Sequence, residues 1–189
     1  MNSRCIQILL VVVITVLTSC NSGKKNSSVS QAGSPDNVEQ QQAENTDSTS
    51  GNELIIKFSM ADINGKEVSV TDEFAKHEIT IIDFWASWCG PCVHEMPNLV
   101  KVYNEYKDKG LGIVGVSLDE DKDQWQNAVS SMNMTWTQLS DLQGWNNSAA
   151  RMYGIQAIPF TIIVDKNGKV LDAGLRGEEL ANFVAGRLG

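Results

Sequence analysis

Cysteine is scarce: the chain of 189 residues has four, at positions 5, 20, 89 and 92, and none after Cys92. That excludes a multi-bridge disulfide framework and leaves one close pair with two N-terminal singles. Histidine is scarcer, His77 and His94 alone, so a Cys/His zinc centre around the pair lacks ligands. Basic residues are outnumbered, 15 against 23 acidic, for a formal charge of -8. Such a balance speaks against a nucleic-acid partner. What remains is a composition 42% hydrophobic with five tryptophans, sufficient for one packed core. No internal repeat and no second domain is visible, and the expected state is a monomer.

Residues 1–7 are short and carry one Arg, and the apolar run over residues 8–17 follows. This is the three-part form of a secretory signal, too short to span a membrane comfortably. It closes on Leu17-Thr18-Ser19-Cys20, which resembles a bacterial lipobox. The resemblance implies that residues 1–19 are a signal peptide, that Cys5 is discarded with it, and that Cys20 is lipidated. An ordinary signal or an uncleaved anchor stands as the alternative. Either route delivers the domain outside the cytoplasm, expected here as the periplasmic side of a bacterial cell envelope. Asn21 follows the Cys, in keeping with an outer-membrane destination under the enterobacterial sorting rule, so inner and outer membrane both stay open.

Residues 21–52 are rich in Ser, Asn, Gln and Gly, with almost no large apolar side chain. They cannot bury enough surface to offset ordering entropy, and residues 20–52 are expected to be a disordered tether. Asp47-Ser48-Thr49 within it looks like a short O-glycosylation motif, or is plain linker.

Residues 53–189 read as the domain. A strand over residues 53–60, an Asn64-Gly65 turn and a strand over residues 67–70 form a hairpin. Thr71 is placed to cap a short helix ending near His77. Residues 79–84 are apolar except for Thr80 and Asp83, as in a strand covered on both faces. The segment from Val93 to Tyr106 is helical in pattern, with Met96, Leu99, Val100, Tyr103 and Tyr106 inward and Pro97 inside it. A buried strand over residues 111–118 follows, then a helix with an acidic start at residues 119–123. Further on come a short extended piece, a short helix capped by Asn147 or Ser148, a hairpin turning at Asp165-Lys166-Asn167-Gly168, and a last helix from Gly177. A mixed α/β sheet covered by helices satisfies that order.

Between the central strand and the helix lies Trp88-Cys89-Gly90-Pro91-Cys92. Two thiols separated by Gly-Pro at such a junction suit dithiol-disulfide exchange, with zinc binding and a structural bridge as weaker readings. Cys89, at or just before the first helical residue, meets unpaired N–H groups that favour a thiolate, so it is the expected nucleophile. Cys92, one turn in, resolves the mixed disulfide. Pro91 suits the first turn, where its missing N–H costs nothing. No cofactor is expected beyond the Cys89–Cys92 pair itself.

Asp83 is costly to bury unless it interacts, and exchanges a proton with Cys92 in one reading and reaches solvent or a backbone N–H in the other. Glu95 is a second proton acceptor or a solvated first-turn Glu. His94 is a surface residue. Ile158-Pro159 precedes a strand; a cis bond would leave the Ile158 backbone free to pair with a peptide, and a trans bond is the ordinary case. Trp85 and Trp88 either pack beneath the pair or form its apolar contact surface.

Residues 84–92, Phe-Trp-Ala-Ser-Trp-Cys-Gly-Pro-Cys, resemble the active-site signature of the thioredoxin superfamily. The continuation Val93-His94-Glu95-Met96-Pro97 resembles the Cys-x-x-Glu-x-Pro of its membrane-tethered TlpA/ResA-like branch. The resemblance covers residues 52–189 and implies a thioredoxin-like fold with an N-terminal β-hairpin extension. It implies cis geometry at Pro159 and substrate contact by Trp88, Gly90, Pro91 and Ile158. Asp83 stands at the buried Asp of cytoplasmic thioredoxins and Glu95 at the Glu of this branch, so both are candidate acceptors. The activity implied is protein thiol-disulfide exchange, in the reducing direction that Gly-Pro resembles. An oxidase or isomerase is the alternative, and a thiol peroxidase a remoter one. Protein disulfides are the expected substrates, and a membrane electron donor of DsbD/CcdA type the expected partner. The branch includes reductants serving cytochrome c maturation.

Overall fold

A computed structural model of the chain describes residues 53–189; the expected signal, Cys5, the expected lipidation residue Cys20, the expected tether and the Asp47-Ser48-Thr49 motif lie outside the described residues. The N-terminal hairpin is β1 (Ser59–Ala61) and β2 (Glu67–Ser69), followed by α1 (Val70–Phe74). Next come β3 (Ile79–Trp85), α2 (Gly90–Tyr106), β4 (Leu111–Ser117), α3 (Lys122–Ser131) and β5 (Thr137–Leu139). A 3-10 turn at Gly144–Asn146, α4 (Ser148–Met152), β6 (Phe160–Asp165), β7 (Val170–Ala173) and α5 (Gly177–Leu188) complete the order.

The five-stranded sheet has the order β5-β4-β3-β6-β7. β3 pairs in parallel with β4 and antiparallel with β6, so the sheet is mixed. All seven residues of β3 and of β4 are buried, which requires cover on both faces. That burial explains the nearly unbroken apolar runs in both segments. Because β3 and β4 are parallel and in register, Trp85 beside Ser117, the loops leaving them emerge at the same edge. The active-site loop is built at that edge.

The first expected strand is shorter than its apolar pattern suggests. Ile55 forms only an isolated bridge to Lys169, and the Ile56 N–H donates to the Gly168 carbonyl. The Ile56 side chain is fully buried, so the run there reflects a plug into the core and not a pleated face. The segment then reaches the opposite edge of the sheet, where the Ser140 N–H donates to the Ala61 carbonyl beside β5. Both edges are thus covered by one N-terminal stretch. Ser69, not Thr71, is the N-cap of α1, which ends at Phe74 and not near His77. On α2 the inward residue is Val102, with Val100 only partly buried. The acidic run over residues 119–123 does open α3, with Asp121 as its cap and Asp123 in its first turn, but the helix begins only at Lys122 and Asp119 is buried outside it.

Candidate functional site

Cys89 is the N-cap of α2, with extended backbone, and its Sγ accepts the Cys92 N–H at 3.2 Å. Gly90 and Pro91 occupy the exposed first turn, where Pro91 lacks only an N–H that no helix carbonyl would have accepted. Cys89 and Cys92 are joined by a disulfide with Cα atoms 5.2 Å apart. Cys89 keeps 6% of its surface exposed and Cys92 only 1%, so the outer sulfur is that of Cys89.

Asp83 lies in the middle of the sheet, between Gly115 of β4 and Thr161 of β6. With Cys92, Glu95, Pro159 and Arg176 it lines a cavity of about 10 Å³ for water centres, room for about one water molecule. Burial pushes its carboxyl up to about 7, the nearby Glu95 charge adds to the rise, and no hydrogen bond offsets the two. Glu95 is anchored: its Oε1 accepts the Gly177 N–H at the start of α5 at 2.8 Å, and Oε2 accepts from Asn98 at 3.4 Å. It therefore caps the N-terminus of a second helix while its charge faces the cavity shared with Asp83. Neither carboxylate takes the simple alternative offered by the sequence, a free surface group.

The Ile158–Pro159 bond is cis, and Ile158 is half-buried where the chain enters β6. The two tryptophans separate cleanly. Trp85 is fully buried beneath the loop, and its indole N–H donates to the Gln138 Oε1 at 3.2 Å. Glycine at 115 leaves room for the Gln138 amide in this position, because a Cβ there would displace it. Trp88 stands 52% exposed at the rim. His94 is exposed, as expected of a surface residue.

One residue that holds this loop, Asp119, carries no motif. Asp119, 1% exposed, accepts from the Ser87 N–H at 3.0 Å, from the Ser87 hydroxyl, and from the Ser117 hydroxyl at 2.7 Å. The carboxylate just beyond β4 thus clamps the residue two before Cys89. A signal did exist: parallel strands end at one edge, so a short acidic residue after β4 belongs beside the loop after β3. Asp119→Ala is expected to lower stability by about 3 kcal/mol, since several charge-assisted bonds vanish and two hydroxyls lose their acceptor. Denaturant unfolding of the oxidised protein measures it; a loss under about 0.5 kcal/mol would remove the clamp.

A mixed sheet whose central strand leads into a disulfide at a helix N-cap, beside a cis-proline, defines a thioredoxin-like domain. The Redoxin family profile matches residues 48–185. Thiol-disulfide oxidoreductase ResA of Bacillus thuringiensis subsp. konkukian is 30% identical over 122 residues, covering 65% of this chain and 67% of that one. Thioredoxin-like protein YneN of Bacillus subtilis is 33% identical over 118 residues, 61% of this chain and 65% of its own. Among solved structures, the thioredoxin domain of a thiol-disulfide oxidoreductase from Bacteroides vulgatus superposes with a TM-score of 0.65 at 32% identity. It covers 72% of this chain and 96% of that one. A thiol-disulfide oxidoreductase from Bacteroides fragilis gives 0.66 at 30% identity, over 71% and 98%. The chain belongs to the Redoxin family, as a TlpA/ResA-like member of the thioredoxin superfamily.

Proposed function

We propose that this thiol-disulfide oxidoreductase reduces protein disulfides outside the cytoplasm through Cys89 and Cys92. The observation that carries the reading is the Cys89–Cys92 disulfide at the N-cap of α2, with Asp83 in the same small cavity as Cys92. In the reduced protein the Cys89 thiolate attacks one sulfur of a substrate disulfide, and the other sulfur leaves as a thiolate. The Cys92 thiol gives its proton to Asp83 and attacks the Cys89 sulfur. The second substrate thiol is released, and two electrons have passed to the substrate with closure of the Cys89–Cys92 bond. Trp88, Gly90 and Pro91, exposed on either side of Cys89 in the chain, and the half-buried Ile158 are the surfaces assigned to the substrate. Pro159 lines the cavity on the other side of Cys92.

The reducing direction is supported by the Gly90-Pro91 dipeptide, which resembles that of known reductants. Location outside the cytoplasm is supported by the signal-like run over residues 8–17 and the lipobox-like Cys20. A reductant there needs imported electrons, and a membrane donor of DsbD/CcdA type suits its family. Equilibration with glutathione tests the direction. The expected potential is near that of thioredoxin, about -270 mV; a value of roughly -180 to -120 mV would make the protein an oxidant.

A further inference from the structure

Beside Cys89 the surface carries a feature that disulfide exchange alone does not require. Trp88 and Trp145 are 52% and 48% exposed, and their rings meet at a tilt of 55° with centroids 6.4 Å apart. One indole precedes the nucleophile and the other comes from the 3-10 turn Gly144–Asn146. Large aromatic side chains held together at the surface leave apolar area for a partner to cover. The cleft they line continues over Leu118 to Glu120, Asp121 and Gln124.

The charge in that cleft is negative. Asp121 accepts the Gln124 N–H as the cap of α3, so the anion-favouring helix end there is already filled. Glu120 is exposed and joins no ion pair or side-chain hydrogen bond among the described residues. Its carboxylate lies against the turn that carries Trp145, close enough that a Cβ at position 144 would strike it in this position. Gly144 also has φ +56°, which suits glycine. Lys122, the basic residue next in the chain, does not line the cleft. Two indole faces beside an unspent carboxylate form a receptor for an organic cation, through cation–π attraction and charge pairing together.

We propose that the Trp88–Trp145 cleft docks a lysine or arginine side chain of the polypeptide substrate, about two or three residues from the cysteine attacked by Cys89. This rests on the thiol-disulfide reading above and adds a substrate class to it: disulfides embedded in basic segments. The acidity of the chain as a whole, net -8, works in the same direction by steering cationic partners.

The test uses the reduced full chain and a set of disulfide-bonded peptides that differ only at the residue two positions from one cysteine, as Arg, Lys, Phe or Glu. The expected kcat/KM for Arg and Lys exceeds that for Glu by about tenfold at low salt, and the ratio falls at high salt. Most of the difference is expected in KM. Combining Trp145→Ala with Glu120→Gln is expected to bring the ratio below about threefold. A wild-type ratio near one, a ratio that survives the double variant, or a preference for Phe over Arg would each overturn the proposal. A wild-type protein that reduces none of the peptides, nor a small aromatic disulfide, would instead overturn the thiol-disulfide reading on which it rests.

Discussion

Cys89→Ala is expected to abolish disulfide reduction, lowering turnover of a protein disulfide by on the order of a thousandfold or more. The expectation follows from position. Cys89 is the N-cap, where its sulfur sits at the positive end of α2 and accepts the Cys92 N–H. A negative charge on that sulfur would be stabilised there, so Cys89 is the expected thiolate of the pair. Among the described residues no N–H donates to the Cys92 sulfur, and its 1% exposure keeps it from an incoming protein. The two cysteine variants should therefore differ in kind. Cys92→Ala keeps the first step and lacks the second, so it is expected to accumulate a covalent mixed disulfide with its substrate at one equivalent, detected as an adduct mass. Cys89→Ala should form none. If the two results are exchanged, the attacking sulfur is that of Cys92, and the electrostatic account of the N-cap fails.

The parts of this site that lie close together in the chain were legible in advance. Strand, loop, dithiol and helix follow one another over residues 79–106, and each carries a local signal: an apolar run, a Gly-Pro, a helical repeat. The cis-proline entered through family resemblance, because Ile158-Pro159 alone has no local mark of its isomer. Residues that reach the site through the sheet were not legible. Asp119 looks like the acidic opening of a helix until the register of β3 with β4 sets it beside Ser87. Gln138 and Gly115 look unrelated until β5 pairs with β4, and then glycine makes room for the amide that receives the Trp85 N–H. Glu95 was ambiguous for the same reason. Its helical position predicts a side chain near Cys92, yet its partner is a backbone N–H 82 residues away, at the start of α5. Single-residue pattern carries the core and the motif. Pairing between distant segments carries the supports, and those determine which carboxylate is free to take a proton.

That division of labour gives the second large effect, at Asp83. Its folded value, about 7, lies above the ordinary 3.8, chiefly through burial and secondly through the Glu95 charge. Between those two pH values the folded protein holds a proton that the unfolded chain has released. The contribution of Asp83 to stability is therefore greatest below about pH 4, declines as the pH rises toward 7, and stays low beyond it. The shift corresponds to at most about 4 kcal/mol. Asp83→Asn removes the ionisable group, so the oxidised variant is expected to gain up to that amount at pH 8 and little at pH 4, by denaturant unfolding. The same substitution is expected to slow the Cys92 step by about a hundredfold near pH 7, because a base positioned for its proton is gone. Capture of substrate by Cys89 should be unaffected, which separates the loss from a general distortion. Glu95→Gln supplies the contrast: an oxygen remains for the Gly177 N–H, but the charge that raises Asp83 is removed. The rise of the Cys92 step with pH should then shift to lower pH with its maximum retained. A loss in Glu95→Gln as large as that in Asp83→Asn would transfer the proton-accepting role to Glu95. A flat stability difference between pH 4 and 8 for Asp83→Asn would show that the carboxyl ionises freely in the folded protein, and the buried acceptor would be lost with it.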